Sequence, residues 1–211
     1  MERRAYNIPL QKNPNISIRV IPGHFATSNA HATHFLDVNY LKSSSTAARE
    51  VAGELAIPYS SAYVETIVCM EKTEIIGAYL AEELTRSGFS PLSGGEIFIV
   101  TPTAGVNKKL IFQDNVVDHI ADRKIILLVA SISSGRTVES ALECLAYYGG
   151  EIAGISTLYL ASGRGLGKDV HALFKSDDIP GYKLTNINDC EMCGSGRKLD
   201  AMITSEGYTR F

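Results

Sequence analysis

The sequence has no long apolar stretch, since none of its hydrophobic runs approaches the roughly 20 residues of a membrane-spanning helix. Its first residues include basic side chains but no apolar segment typical of a secretory signal. Cysteine is scarce, with 4 in 211 residues, which is too few for a disulfide-rich scaffold. We therefore expect a cytoplasmic protein with reduced thiols and no membrane partner.

Strong net charge is also missing. The formal charge of −3 at pH 7 gives no basic footprint for nucleic acid, so we expect no nucleic-acid partner. Hydrophobic residues make up 45% and charged residues 20%, which is the balance of a soluble globular protein. No internal repeat or low-complexity linker divides the chain, and its length predicts a single domain with room for a small subdomain.

Apolar periodicity predicts strands that alternate with helices from about residue 45 to residue 160. The predicted strands cover 63–69, 96–101, 125–129 and 151–160, with weaker pieces at 16–21 and 34–38. The predicted helices cover 45–56, 74–86, 115–123 and a segment that begins at Thr137 and ends at Gly149. This alternation predicts an α/β fold in which helices flank a mostly parallel sheet. Periodicity fades after residue 161, which is more typical of a tail or subdomain than of another βα unit.

The densest set of hydrogen-bond donors lies between the strand at 125–129 and the helix at Thr137. Free backbone N–H groups and the positive end of the helix dipole suit an anion in such a loop. Gly135 would allow the backbone to approach a ligand closely. Further donors come from the hydroxyls of Ser131, Ser133, Ser134 and Thr137. On composition alone, a phosphate site and an ordinary strand–turn–helix joint are equally good interpretations.

The segment Ser133-Ser134-Gly135-Arg136-Thr137, after an apolar strand, resembles the phosphoribosyl-pyrophosphate (PRPP) motif of the type I phosphoribosyltransferases. That motif has an apolar strand, two acidic residues, two further residues and then Thr-Thr-Gly-x-Thr. The resemblance implies that the loop from Ser131 to Thr137, here called the phosphate loop, grips the 5′-phosphate of PRPP. The acidic pair, which holds the ribose hydroxyls in the family, falls on Val129 and Ala130 in this chain.

The resemblance covers about residues 60–160 and is closest to the orotate phosphoribosyltransferases. It implies a type I phosphoribosyltransferase-like core over about 45–160, covered by a small hood subdomain from 1–44 and 161–211. It also implies transfer of phosphoribosyl from PRPP to a nucleobase, with an orotate-like pyrimidine favoured, and release of pyrophosphate. Mg²⁺ as cofactor, a nucleoside monophosphate as ligand and a homodimer follow from the same resemblance.

Two further loops match family loops by position. The loop at Met70, Glu71 and Lys72 corresponds to the one that binds pyrophosphate through backbone N–H groups. Its carboxylates oppose an anion unless Mg²⁺ intervenes, so a structural turn is an equally good interpretation. In the loop at 101–109, Lys108 and Lys109 are the candidates for the catalytic lysine that orotate enzymes bring to the pyrophosphate. Two ordinary surface lysines at a hairpin tip are the better interpretation on sequence alone.

The sequence leaves alternatives open for the function and for the fold. Without the acidic pair, the chain could be a catalytically weak or inactive PRPP- or nucleotide-binding regulator of the same fold. An unrelated flavodoxin-like fold that binds a phosphate cofactor fits the pattern less well.

Cys190 and Cys193 have the spacing of half a zinc knuckle, but zinc would need a distant histidine or a partner chain. Two buried structural thiols are favoured, and we assign no metal site. The histidines at 24, 31 and 34 are read as pocket lining or surface.

Overall fold

The computed structural model describes residues 1–28, 30–86, 96–105, 109–161, 169–204 and 207–211. Its strands are β1 (Tyr6–Pro9), β2 (Ser17–Ala26), β3 (Ala30–Asp37), β4 (Thr66–Cys69), β5 (Phe98–Val100), β6 (Thr103–Ala104), β7 (Leu110–Ile111), β8 (Lys124–Ile132), β9 (Glu151–Leu160), β10 (Val170–Lys175), β11 (Leu184–Asn186), β12 (Ala201–Thr204) and β13 (Gly207–Arg210). Its α-helices are α1 (Asn39–Ser43), α2 (Ser45–Ala56), α3 (Glu74–Arg86), α4 (Arg136–Tyr147) and α5 (Glu191–Gly194). None of the helices in these ranges is long and apolar enough to span a membrane.

A five-stranded parallel sheet in the order β10-β9-β8-β4-β5 forms the centre of the molecule. Its middle strand, β8, is buried on both faces, as expected for a continuous apolar run between two helical layers. Ile126 and Leu128 pack in the same cluster as α2 and α3, whereas Ile125 and Leu127 pack with α4. The predicted α/β architecture with helices on both faces is therefore confirmed.

A second sheet lies beside the first and has the order β11-β3-β2-β12-β13, with β1 added to β2. Its pairs are antiparallel except for β2 and β12, which run parallel. Phe25, Phe35 and Ala201 form a small apolar cluster within it. All of its strands come from the two terminal regions in which the hood is predicted. We call it the second sheet.

Several element boundaries differ from the sequence-based predictions. Strand β8 continues to Ile132 instead of ending at residue 129, because Ser131 and Ile132 pair with β9. Strand β10 extends the parallel sheet beyond residue 160, where fading periodicity had argued against a further strand. The predicted helix at 115–123 is a 3₁₀ helix over Asp114–His119, and the predicted loop at 101–110 contains the short β6–β7 pair. Helices α2 and α3 have the predicted bounds.

Candidate functional site

The phosphate loop lies at the carboxyl end of the middle strand, where ligands of parallel α/β sheets are held. After β8 ends at Ile132, three loop residues lead to α4, which begins at Arg136, one residue before the predicted start. Gly135 has φ 83°, a left-handed conformation that side chains with a Cβ rarely adopt. This glycine allows the abrupt turn from strand into helix, as the sequence predicts.

Several hydrogen-bond donors at the helix end of the phosphate loop remain available to a ligand. The first turn of α4 has no side-chain cap, so its N–H groups point into the loop without a side-chain partner. Ser133, Ser134 and Thr137 are exposed, and their hydroxyls bond to no residue within the described ranges. Arg136 is also exposed and adds a positive charge at the same place. The arrangement suits a phosphate group at a helix N-terminus.

A cavity of about 560 Å³ opens above the phosphate loop and separates it from the second sheet. Its floor is the whole loop, from Ser131 to Thr137. The facing wall includes His34, Phe35, Tyr182, Leu184 and Met202, from the second sheet and the segment before β11. A polar floor that faces an aromatic and aliphatic wall suits a ligand with one anionic end and one flat, apolar end.

Two tyrosines connect the floor to the wall. Tyr159, at the end of β9, is 4% exposed, and burial and the neighbouring Tyr182 hydroxyl both raise the pKa of its hydroxyl. The ring of Tyr182 packs edge-on against it with centroids 5.7 Å apart. The ring centroid of His34 lies 6.1 Å from that of Tyr182, and burial lowers the pKa of the His34 imidazole. The hydroxyls of Tyr159 and Tyr182 therefore interact where both residues line the cavity, within reach of a ligand.

The predicted pyrophosphate loop reaches the cavity through one residue only. Glu71 lines the cavity, and one of its carboxylate oxygens accepts a hydrogen bond from the Ser131 N–H at 3.1 Å. Burial raises the pKa of Glu71. Met70 is instead buried in the core, and Lys72 is exposed beside the cavity lining. Glu71 and Lys72 have φ 57° and 63°, so two successive residues adopt the left-handed conformation, which is typical of functional loops.

A buried lysine that sequence reasoning missed supports this loop. Lys42, in the five-residue helix α1, is only 6% exposed, and its ammonium donates to the Glu71 carbonyl at 2.8 Å. Its charge also opposes the burial effect on the Glu71 pKa. A helix of this length has too few turns to show periodicity, so no local pattern separates Lys42 from the surface lysines.

The described residues of the second predicted loop, 101–105 and Lys109, do not line the cavity. Lys109 is exposed on the β6–β7 hairpin, where its carbonyl accepts the Gly105 N–H at 2.7 Å. It is absent from the cavity lining in the described ranges. Lys108 lies outside the described residues. If the hairpin acts on pyrophosphate, it does so from another position or another subunit.

The positions of the family's acidic pair are core positions in this chain. Val129 is 0% exposed and Ala130 is 2% exposed, both within β8. Glu71 is the only carboxylate among the described residues that line the cavity. The carboxylate of Glu71 contacts the phosphate loop from the adjacent strand–helix joint, at the Ser131 N–H.

The structure revises the sequence-based view of the histidines and terminal cysteines. Cys190 is buried as expected, but Cys193 is exposed. His34 lines the cavity, in line with the predicted polar lining, whereas His24 and His31 are buried elsewhere, beside the two cysteines. Because β2 and β3 pair as antiparallel neighbours, they bring His24 and His31 close together.

Comparison with protein-family profiles and with curated protein sequences gives no match for the chain. Comparison with solved structures gives clear matches. Mycobacterium tuberculosis orotate phosphoribosyltransferase, solved with Fe(III) dicitrate, has a TM-score of 0.52 at 12% identity, over 75% of this chain and 90% of that one. Adenine phosphoribosyltransferase from Rhodothermus marinus has a TM-score of 0.50 at 16% identity, over 82% and 95%. Leishmania donovani UMP synthase has a TM-score of 0.55 at 18% identity, over 74% of this chain but 33% of its own.

The chain has the type I phosphoribosyltransferase fold. The fold resemblance noted in the sequence is thereby confirmed. In this type I fold, the loop that matches the PRPP motif is the one found on the floor of the cavity. Both orotate and adenine enzymes are among these structures, so the likeness of fold leaves the base open.

Proposed function

We propose that this protein binds the 5′-phosphate of PRPP or of a nucleoside monophosphate in the phosphate loop. We further propose that it transfers phosphoribosyl to a nucleobase held against the second sheet, with release of pyrophosphate. The observation that carries the proposal is the position of the donor-rich phosphate loop on the floor of a cavity with an aromatic opposite wall. Mycobacterium tuberculosis orotate phosphoribosyltransferase, a neighbour in fold, was solved with PRPP and with inorganic phosphate.

Each part of the cavity has a role in this proposal. N–H groups at the start of α4 and the hydroxyls of Ser133, Ser134 and Thr137 donate to the phosphate. Phe35 and Tyr182 flank the base, and the Tyr159 hydroxyl, which also lines the cavity, is available to hydrogen-bond it. The reaction would need no protein nucleophile, since positioning and electrostatics stabilise the oxocarbenium character that develops at ribose C1. An orotate-like pyrimidine is the favoured acceptor, on the resemblance to orotate enzymes.

Mg²⁺ is part of the proposal. The oxygen ligands that the cavity offers would hold the ion only together with oxygen atoms of the substrate. The ion prefers oxygen ligands and is commonly bound through one or two carboxylates plus substrate phosphates. Glu71 is the one carboxylate available in the described lining. Bound beside it, Mg²⁺ would neutralise the pyrophosphate of PRPP.

A second function, a nucleotide-binding regulator without turnover, is favoured by the buried Val129 and Ala130. Two carboxylates on the ribose hydroxyls would each contribute a charge-assisted hydrogen bond of about 1.5–3 kcal/mol. Apolar side chains inside β8 contribute none. Any transfer from PRPP is therefore expected to be slow compared with ordinary enzyme rates of about 1–10³ per second.

A paired binding and turnover experiment separates the two functions. Thermal shifts are measured with phosphate, PRPP, UMP, OMP and AMP, and pyrophosphate release from PRPP is followed with orotate, uracil, adenine and hypoxanthine. We expect PRPP and the nucleotides to stabilise the protein, and Ser134→Asp to abolish this by placing a negative charge in the loop. The control is Ser60→Asp, on an exposed turn away from the cavity. Binding without pyrophosphate release identifies a regulator, and no stabilisation by any phosphate compound refutes both functions.

A further inference from the structure

Four side chains with metal-binding atoms meet on the second sheet, apart from the cavity. They are His24 of β2, His31 of β3, and Cys190 and Cys193 at the start and within α5. Their ligand atoms all lie within 4.8 Å of one another. Three of the four residues are buried, and only Cys193 is exposed. Two histidines and two cysteines form one of the usual ligand sets of structural zinc.

Four of the six spacings between the ligand atoms match the edges of a coordination tetrahedron. His24 Nε2 lies 3.2 Å from His31 Nδ1 and 3.4 Å from Cys190 Sγ. Cys193 Sγ lies 3.6 Å from His24 Nε2 and 3.3 Å from His31 Nδ1. A tetrahedral zinc with bonds of about 2.3 Å to sulfur and about 2.0 Å to nitrogen sets these edges at about 3.3 Å for nitrogen pairs and about 3.5 Å for nitrogen–sulfur pairs.

Surrounding groups orient the ligands as they do around bound metals. His24 Nδ1 lies 2.8 Å from the Arg197 carbonyl, so that it carries the proton and leaves Nε2 free for a metal. The backbone of His24 is held by Asp200, whose carboxylate accepts its N–H at 2.9 Å.

We propose that His24, His31, Cys190 and Cys193 bind one Zn²⁺ ion with tetrahedral geometry as a structural site. All four coordination positions are filled by protein atoms, which leaves none for a substrate or water and distinguishes a structural from a catalytic zinc. The soft thiolates and imidazoles select against Mg²⁺ and Ca²⁺, which prefer oxygen. This site is independent of the proposed phosphate chemistry.

The zinc would join parts of the chain that are far apart in sequence. His24 and Cys190 are separated by 166 residues, so the ion would link the β2–β3 hairpin to the segment between β11 and β12. The same strands provide Phe35, Leu184 and Met202 to the wall of the cavity. Because a closed zinc site contributes folding free energy directly, its loss should loosen this wall.

Metal content and cobalt spectroscopy test the site on the intact chain. Protein expressed with zinc is analysed by elemental mass spectrometry, and zinc is then exchanged for Co²⁺. We expect one zinc per chain and a cobalt spectrum with tetrahedral ligand-field and thiolate charge-transfer bands. X-ray absorption on the wild-type zinc protein should give two sulfur and two nitrogen neighbours. This measurement needs no variant and stays informative if substitutions prevent folding.

Matched variants assign the ligands. Cys193→Ser, at the exposed position, should lower zinc occupancy at least tenfold and remove most of the thiolate band intensity. Cys144→Ala, a thiol in α4 outside the cluster, should retain full occupancy. The proposal is overturned if the wild-type protein holds no zinc after expression with zinc. It is equally overturned if its sulfur atoms form a Cys190–Cys193 disulfide, or if Cys144→Ala loses the metal as Cys193→Ser does.

Discussion

Gly135 is the single residue whose conformation keeps the phosphate loop open. Its φ of 83° is strained for any residue with a Cβ, and most of all for a β-branched one. We expect Gly135→Val to shift the loop and to abolish stabilisation by PRPP, phosphate and nucleotides. The measurement is the thermal shift with each ligand.

Gly149 offers a control with the same backbone demand. Its φ is 79°, it ends the turn after α4, and a Cβ there meets nothing within 4 Å. Gly149→Val should therefore cost a similar amount of stability, about 1–3 kcal/mol, without changing the ligand-induced shift. Equal ligand shifts in both variants would mean that phosphate binds elsewhere.

Glu71 makes stability depend on pH. Burial raises the pKa of its carboxyl, although the Ser131 and Ala130 N–H groups and the Lys42 charge lower it. Because the folded protein then holds this proton more tightly than the unfolded chain does, ionisation of Glu71 costs stability as pH rises from the ordinary value of 4.5 through the raised folded value. Glu71→Gln removes this loss.

We expect the difference in the free energy of unfolding between Glu71→Gln and wild type to change with pH. Glu71→Gln should gain stability relative to wild type as pH rises through that interval, with a constant difference at higher pH. Urea midpoints measured from below pH 4.5 to neutral pH test this. A flat difference for Glu71→Gln would mean that the carboxyl is not buried in solution.

Among the elements, strand β8 buries the two positions that correspond to the acidic pair of the PRPP motif. Val129 packs in the apolar cluster with α4, so a carboxylate there would be buried away from the cavity. We expect Val129→Asp to destabilise the protein by about 3 kcal/mol or more, since an unpaired charge would be buried. The isosteric Val129→Thr should cost only about 1–3 kcal/mol. Urea unfolding followed by circular dichroism gives the loss of stability in both variants. Equal losses of stability would mean that the side chain at position 129 faces the cavity.

The elements best predicted from sequence are those whose pattern is local. The apolar run of β8, the periodic face of α4 and the left-handed Gly149 identify the strand, the helix and its end without tertiary information. Strand β10 was not predicted because its residues are both polar and apolar and most are only partly buried at the edge of the sheet. An edge strand with this burial shows neither clear alternation nor an apolar run.

Features made by distant segments could not be predicted in the same way. The phosphate loop is continuous in sequence and was found, whereas the cavity wall combines β3, β11 and β12. Lys42 contacts Glu71 only because two joints meet in the fold. The cluster of two histidines and two cysteines needs the β2–β3 hairpin and a segment more than 150 residues later. A pair of cysteines alone could only indicate that further ligands were required.

At the scale of the whole molecule, the position of Lys109 bears on assembly. The described residues of its hairpin do not line the cavity of their own chain, so a role in pyrophosphate binding would require another hairpin position or the cavity of another subunit. We expect a homodimer with two-fold symmetry, the commonest closed assembly. Tyr147, 83% exposed at the end of α4, is a suitable interface residue, since aromatic side chains are enriched at interfaces. Sedimentation at micromolar concentration should show a species of twice the chain mass.

The dimer and the lysine can be tested together. If Lys109 serves the neighbouring cavity, Lys109→Ala should weaken PRPP binding in the dimer, whereas Lys12→Ala, at an exposed lysine away from the cavity, should not. Tyr147→Glu should shift sedimentation towards the monomer and reproduce the loss of PRPP affinity seen in Lys109→Ala. A wild-type protein that sediments as a monomer and still binds PRPP would show that each cavity is complete in one chain. Lys109 would then be an ordinary surface lysine.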